Sequence, residues 1–139
     1  MRAESTIVAR NQLSELERVS HLVEAFGERH GVTPKLIFDI NLAIDEVLTN
    51  IISYAYPGGG DHEVIVRLSL TDGEVVTTVE DDGDPFNPLD LKLPDMNQPI
   101  TERPIGGLGI HLVRKVMDRL EYRRERGKNV FVMVKAVRR

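Results

Sequence analysis

The stretch PKLIFDINLAIDEVLTNIISYAY, residues 34–56, decides the fold. It is long and apolar on more than one side, so it reads as a central buried helix. Thr33 precedes it as N-cap, and Pro34 takes the first helical position, where a missing N–H costs nothing. Pro57-Gly58-Gly59-Gly60 ends it and forms a loop. Inside it, Asp45, Glu46 and Asn50 are polar amid Ile44, Val47, Leu48, Ile51 and Ile52. Glu46 and Asn50 are one turn apart and share a face. Burying a carboxylate and an amide without partners costs on the order of several kcal/mol. A hydrated Mg²⁺ is one fitting partner, because it prefers oxygen ligands and keeps its waters. Neighbouring backbone at the helix surface is the other.

N-terminal to this helix, ESTIVAR (4–10) forms a short first strand. Residues 11–31 follow with apolar side chains at Leu13, Leu16, Val19, Leu22, Val23 and Phe26. Steps of three and four mark an amphipathic helix, which Gly31 stops. On the C-terminal side, HEVIVRLSLT (62–71) alternates with Val64, Val66, Leu68 and Leu70 on one face. Asp72-Gly73 makes a tight hairpin, and EVVTTVED (74–81) returns antiparallel. Residues 82–105 hold five of the seven prolines, which argues against a regular element there. Gly106-Gly107-Leu108-Gly109 opens a third helix. Two last strands, about 120–126 and 129–137, are joined at Gly127-Lys128. The order β-α-α-β-β-loop-α-β-β implies an α/β (α+β) two-layer sandwich. Its sheet is mixed but mainly antiparallel, with the helices on one face.

The chain's 139 residues suit a single domain, 1–139, and 41% apolar with 29% charged residues suits a folded one. The absence of cysteine excludes a disulfide framework, a thiol nucleophile and a cysteine metal site. No apolar run is long enough for a membrane helix, and the start lacks a secretion signal, so a cytoplasmic protein is expected. No direct nucleic-acid partner is expected. The net charge of −4 hides a split: residues 1–102 carry −12 and residues 103–139 carry +8. The C-terminal third can therefore hold an anion that the total would repel. The basic 119–139 stretch is expected to meet an acidic partner or to form a mixed-charge sheet edge.

There is no P-loop, and Gly107-x-Gly109 lacks the third glycine of a dinucleotide fingerprint. Glu80-Asp81-Asp82-Gly83-Asp84 puts a carboxylate at a strand end, where it can accept from an exocyclic amine. The glycines before the third helix permit close approach to its free N–H groups and positive dipole end, which suit phosphate. His21, His30, His62 and His111 show no metal-ligand spacing. His111 alone lies close enough to Gly109 to approach a phosphate.

Taken in order, these segments resemble the N, G1 and G2 boxes of the GHKL (Bergerat-type) ATPase superfamily. LAIDEVLTNIISYAY (42–56) is similar to the N box, and GGLGIHLVRKVMD (106–118) to the G2 box. The likeness is greatest to the small anti-sigma-factor serine/threonine kinases. The resemblance implies Glu46 as general base and Asn50 as the Mg²⁺-coordinating amide. It implies Asp81 as the adenine-binding carboxylate and Gly83 as the first G1 glycine. Gly107 and Gly109, with Gly106 and Leu108 beside them, would line the phosphates of ATP or ADP. Residues 84–105 would be the ATP lid, and Arg103 at its end would bind phosphate. Two positions depart from the pattern: Pro85 replaces a second G1 glycine, and Asn129 replaces a threonine beside the adenine site. The resemblance implies an anti-sigma-factor antagonist as protein substrate, a sigma factor or other regulator as second partner, and a homodimer. A nucleotide-switched binding module without transfer and a simple ATP hydrolase are the alternative readings.

Overall fold

The computed structural model describes residues 2–91 and 107–137, with Gly107 and Leu108 described by their backbone alone. The elements are β1 (Arg2–Arg10), α1 (Leu16–Arg29), α2 (Pro34–Tyr54), β2 (Glu63–Thr71), β3 (Glu74–Asp81), α3 (Gly107–Val116), β4 (Arg119–Glu125) and β5 (Lys128–Ala136). The strands form one sheet in the order β1-β2-β3-β5-β4. All four neighbouring pairs are antiparallel. Alternate side chains on the inner face, among them Val64, Val66, Leu68, Val79, Phe131 and Met133, join one core with residues of all three helices. Burial of this apolar surface drives the two layers together.

The central helix forms as its sequence dictates. Thr33 accepts a hydrogen bond from the Leu36 amide at 3.4 Å, with Pro34 behind it. Ile40, Ala43, Ile44, Val47, Leu48 and Ile51 are buried on both flanks of α2. α1 crosses it closely at Gly27, where an added Cβ would lie 2.5 Å from Ile37 Cγ1. α1 starts later than its periodicity suggests. Leu13–Glu15 is a 3₁₀ turn, and Leu13 is 55% exposed rather than part of the apolar face. Glu15 is the reason: it accepts from the Arg10 amide and from Arg18, which fixes the chain's exit from β1. Those bonds hold its carboxyl well down, at about 2.

Both hairpins use left-handed residue pairs. Asp72 and Gly73 have φ of 52° and 80°. The second turn lies at Arg126 and Gly127, φ 54° and 74°, one residue before the expected Gly127-Lys128. Such pairs match the twist of the flanking strands. The irregular reading of residues 82–105 is corrected at Pro88–Asp90, a 3₁₀ turn capped by the Asn87 side chain on the Leu89 amide. Arg114 of α3 holds the Leu89 carbonyl at 2.9 Å. The rest of the expected lid, residues 92–105, lies outside the described residues, as do Arg103 and Gly106.

The described part of the basic 119–139 stretch forms a mixed-charge sheet edge. Arg123 pairs with Glu121 and Glu125, Arg119 with Glu74, and Lys128 with Glu80. Charge along β4, the edge strand, discourages strand addition by another chain. Among the described residues no helix is long and apolar enough to cross a membrane.

Candidate nucleotide site

α2 carries polar groups at two levels, and each level meets a glycine from another segment. At the first, Glu46 lies against the start of α3. A Cβ built on Gly109 would overlap the Glu46 carboxylate, so a side chain there would displace that carboxylate. One turn on, Asn50 is 1% exposed, and neither amide atom finds a hydrogen-bond partner among the described residues. An orphaned buried amide is costly unless something binds it. Its carbonyl oxygen is a hard donor of the kind Mg²⁺ accepts, so the residue present fits that ion. Asp45 is also in this layer, and burial, then the neighbouring Glu46 charge, raise its carboxyl.

The second level is the C-terminal end of α2. Ala55 receives a hydrogen bond from the Asp84 amide at 2.8 Å. A Cβ on Gly83 would lie 2.5 Å from the Ala55 carbonyl oxygen and 2.7 Å from its Cβ. Backbone cannot retreat as a flexible side chain can, so this contact requires glycine. Asp81, at the end of β3, is 2% exposed. Its Oδ1 accepts from the Gly83 amide and from Asn129 Nδ2, each at 2.9 Å. Its Oδ2 is buried and free of partners among the described residues. Burial raises the Asp81 carboxyl, and the bonds from Asn129 and Gly83 only partly offset that. One buried acceptor is therefore fixed in place and left for a ligand's N–H donor.

Asn129, a departure in sequence, is the hub of this end. Register places it opposite Asp81 across β3 and β5. Its amide donates to Asp81 Oδ1 and to the Asp84 carbonyl at 2.8 Å. Its oxygen accepts from the Phe86 amide at 3.1 Å and the Tyr122 hydroxyl at 2.5 Å. Two donors and two acceptor positions are the whole capacity of the side chain. Pro85 is held on both sides by the bonds of Asp84 and Phe86, so the missing glycine leaves the turn anchored. Arg124 adds a bond to the Gly83 carbonyl at 2.8 Å. Tyr122, Arg124 and Ala55 are supporting residues that the sequence reading missed. Their only signal was their position beside Asn129 or at the end of the N-box helix.

A further cluster rims this end. Tyr56 donates to Asp82 Oδ1 at 3.1 Å, and His62 stacks on the Tyr56 ring at 4.6 Å with its Nδ1 3.3 Å from the same oxygen. Burial, then the Asp81 charge, raises the Tyr56 hydroxyl. For Asp82, burial pushes upward but the bonds from Tyr56 and His62 win, and the carboxyl is lowered.

α3 begins at Gly107, and Ile110 and Val113 anchor it fully buried in the core. The first turn of any helix has N–H groups without intrahelical partners, and here that turn contains Gly107, Leu108 and Gly109. His111 Nε2 is sealed from solvent with no partner among the described residues.

The family model described as a histidine kinase-like ATPase domain matches residues 9–135. A serine/threonine-protein kinase, BtrW, of Bordetella bronchiseptica is 32% identical over 107 residues, 77% of this chain and 75% of its own length. The serine-protein kinase RsbW of Halalkalibacterium halodurans is 30% identical over 141 residues, 98% of this chain and 83% of its own length. The crystal structure of the RsbU and RsbW domains of a Mycobacterium tuberculosis protein matches 99% of this chain with a TM-score of 0.70 at 16% identity. The match spans 33% of that larger chain. An Acinetobacter baumannii histidine kinase, AdeS, matches 96% of this chain and 68% of its own with a TM-score of 0.52 at 13% identity. At such identities the two structures speak for the fold alone.

Proposed function

Because the chain belongs to the histidine kinase-like ATPase domain family, we propose that it is an ATP-dependent protein-serine/threonine kinase of the anti-sigma-factor regulatory type. The observation that carries this is the way α2 joins both ends of the site. Its Glu46 lies against Gly109 of α3, and its end at Ala55 lies against Gly83 beside Asp81. Glu46 and Ala55 are nine helical steps apart, about 13.5 Å at the helical rise, the scale of a nucleoside triphosphate.

Asp81 Oδ2 accepts the adenine amine. The free N–H groups of the first turn of α3 face the phosphates, with Gly107 and Gly109 permitting close approach. Asn50 Oδ1 would help to hold Mg²⁺, which when bound would neutralise charge on the phosphate oxygens. Glu46 takes the proton of a serine or threonine hydroxyl as that oxygen bonds to the γ-phosphorus and the bond to the β–γ bridging oxygen breaks. Arg103 and Gly106 are proposed for phosphate contact from the family pattern, and residues 84–105 as the lid that excludes water. The proposed substrate is a small anti-sigma-factor antagonist, the proposed second partner a sigma factor or similar regulator, and the proposed assembly a cytoplasmic homodimer.

The test is phosphate transfer from γ-labelled ATP to the antagonist protein that co-purifies with the chain. Label on a serine or threonine of that protein is expected. Tight Mg-ATP binding with no transfer to any co-purifying protein would sink the kinase assignment, and free phosphate released faster than label transferred would point to hydrolysis. Equal affinity for ATP and GTP would contradict the role of Asp81.

A further inference from the structure

A cavity of about 630 Å³ runs as an open groove between α1 and α2 and reaches the nucleotide site only at Asp45. Its bed is apolar, with Ile37, Phe38 and Leu42 along α2. Phe38 is 63% exposed, the most exposed large hydrophobic side chain among the described residues. Nothing in the core needs an aromatic ring there, and leaving it in water forgoes about 2 kcal/mol of burial.

The charge around this bed has one sign. Glu24 and Glu28, on α1, stand one turn apart on its wall, and Asp45 closes one end. None of the three has an ion pair among the described residues, although ten such pairs are present elsewhere. Two acceptors in the wall are also unused. Asn41 donates to the Ser20 carbonyl, but its Oδ1 and the Asp45 Oδ1 are sealed from solvent without a hydrogen bond. Glu24 and Glu28 are exposed, and beside them lie an apolar floor, an exposed aromatic ring and the idle acceptors of Asn41 and Asp45.

We infer that the α1–α2 groove is a docking site for a cationic amphipathic segment of a partner protein. The partner's apolar side chains would lie on Phe38 and Leu42, with its Lys or Arg side chains against Glu24, Glu28 and Asp45. This is a helix-in-groove arrangement with complementary charge. The inference rests on the kinase reading only for its consequence: Asp45 is adjacent to Glu46, so a segment held here would bring its own protein up to the proposed base.

The probe is a synthetic amphipathic helix of Lys and Leu, with a Glu and Leu helix of the same pattern as its counterpart. Both are titrated into the full chain, with amide shifts mapped by NMR and affinity measured by calorimetry. The Lys/Leu helix should move the amides of Ser20–Glu28 and Pro34–Asp45, and the Glu/Leu helix should not bind. Glu24→Lys with Glu28→Lys should weaken binding about tenfold or more, and Phe38→Ala several-fold. Glu4→Lys with Glu63→Lys makes the same change in net charge on the outer face of the sheet, and should alter affinity less than about twofold. Shifts centred outside the groove, or equal weakening by the two charge-reversal pairs, would overturn the inference. ADP affinity and thermal melting should match wild type in every variant. A wild-type chain that binds the Lys/Leu helix in the groove but fails to bind ADP would break the nucleotide reading and leave the groove standing.

Discussion

The two ends of the proposed nucleotide site are built on opposite principles. At the adenine end every supporting group is paired. Asp81 Oδ1 has two donors, Asn129 uses its full capacity, and Gly83 is packed onto Ala55. A single acceptor, Asp81 Oδ2, is left over. At the catalytic end the reverse holds among the described residues. Asn50 is buried with both amide atoms idle, Asp45 has an idle buried oxygen, and Glu46 simply rests against Gly109. The first end is preorganised, so binding there costs little ordering. The second has buried polar groups without partners among the described residues, and a ligand that pairs them favours the loaded state.

This contrast can be broken by experiment, beginning with the largest effect. Glu46→Gln keeps the shape of the catalytic end but removes the proton acceptor. Transfer should fall by roughly 10²–10⁴-fold while ADP affinity by calorimetry stays within about twofold. Retained phosphorylation would demote Glu46 to a bystander.

Asn50→Ala should separate binding from stability. Mg-dependent nucleotide affinity should drop on the order of 100-fold. Urea unfolding without ligand should change by no more than about 1 kcal/mol, because losing an unpaired amide offsets the small cavity left behind. A large loss of ligand-free stability would mean that Asn50 is satisfied, and the contrast between the ends would vanish.

Asn129→Ala should do the opposite. It orphans the Tyr122 hydroxyl and the Phe86 amide and releases Asp81. Stability without ligand should fall by about 2–4 kcal/mol, and preference for ATP over GTP should shrink about tenfold in variants that still fold. Asn129→Thr should recover part of both. A stable variant with unchanged base preference would show that Asp81 needs no such support.

The smallest effect concerns pH. Burial raises the Asp81 carboxyl in the folded chain. A folded value above the unfolded one means the native state holds the proton longer. Stability contributed by Asp81 is therefore highest in acid and declines as pH rises through the window between the two values. Asp81→Asn keeps an oxygen for Gly83 and Asn129, so it should flatten this decline. At neutral pH its melting temperature without ligand should exceed wild type by on the order of a degree or two. A lower melting temperature would mean that the ionised carboxylate is stabilised by groups other than those named.

Much of this molecule was legible in its sequence where the governing interactions are short-range. The Thr33-Pro34 start of α2, the Asp72-Gly73 hairpin and the Gly31 stop each depend on a few adjacent residues. The structure keeps all three. Alternation in β2 likewise predicted its inner face of Val64, Val66 and Leu68. The failures occur where a distant contact outvotes the local pattern. Leu13 fits the helical period but is displaced by the bonds of Glu15 to Arg10 and Arg18. Asn129 reads as a departure, yet its partners Asp81 and Asp84 lie more than forty residues away in the chain. In the basic 119–139 stretch, Arg119 and Lys128 meet Glu74 and Glu80 across the sheet, pairs that the linear run of charge does not show.

By itself the sequence determined the elements, their order, the polar triad within α2 and the glycines at Gly83 and Gly109. Each of these follows from propensity, period and motif along a continuous stretch of chain. Only the tertiary structure decided which oxygen of Asp81 is free, which backbone forbids a side chain at Gly83, and that Gly109 touches Glu46. It alone placed Phe38 in an acidic groove. The reason is physical. An atom's bonding partners depend on the β3–β5 register and on how α1, α2 and α3 pack, and those are settled by the whole core at once.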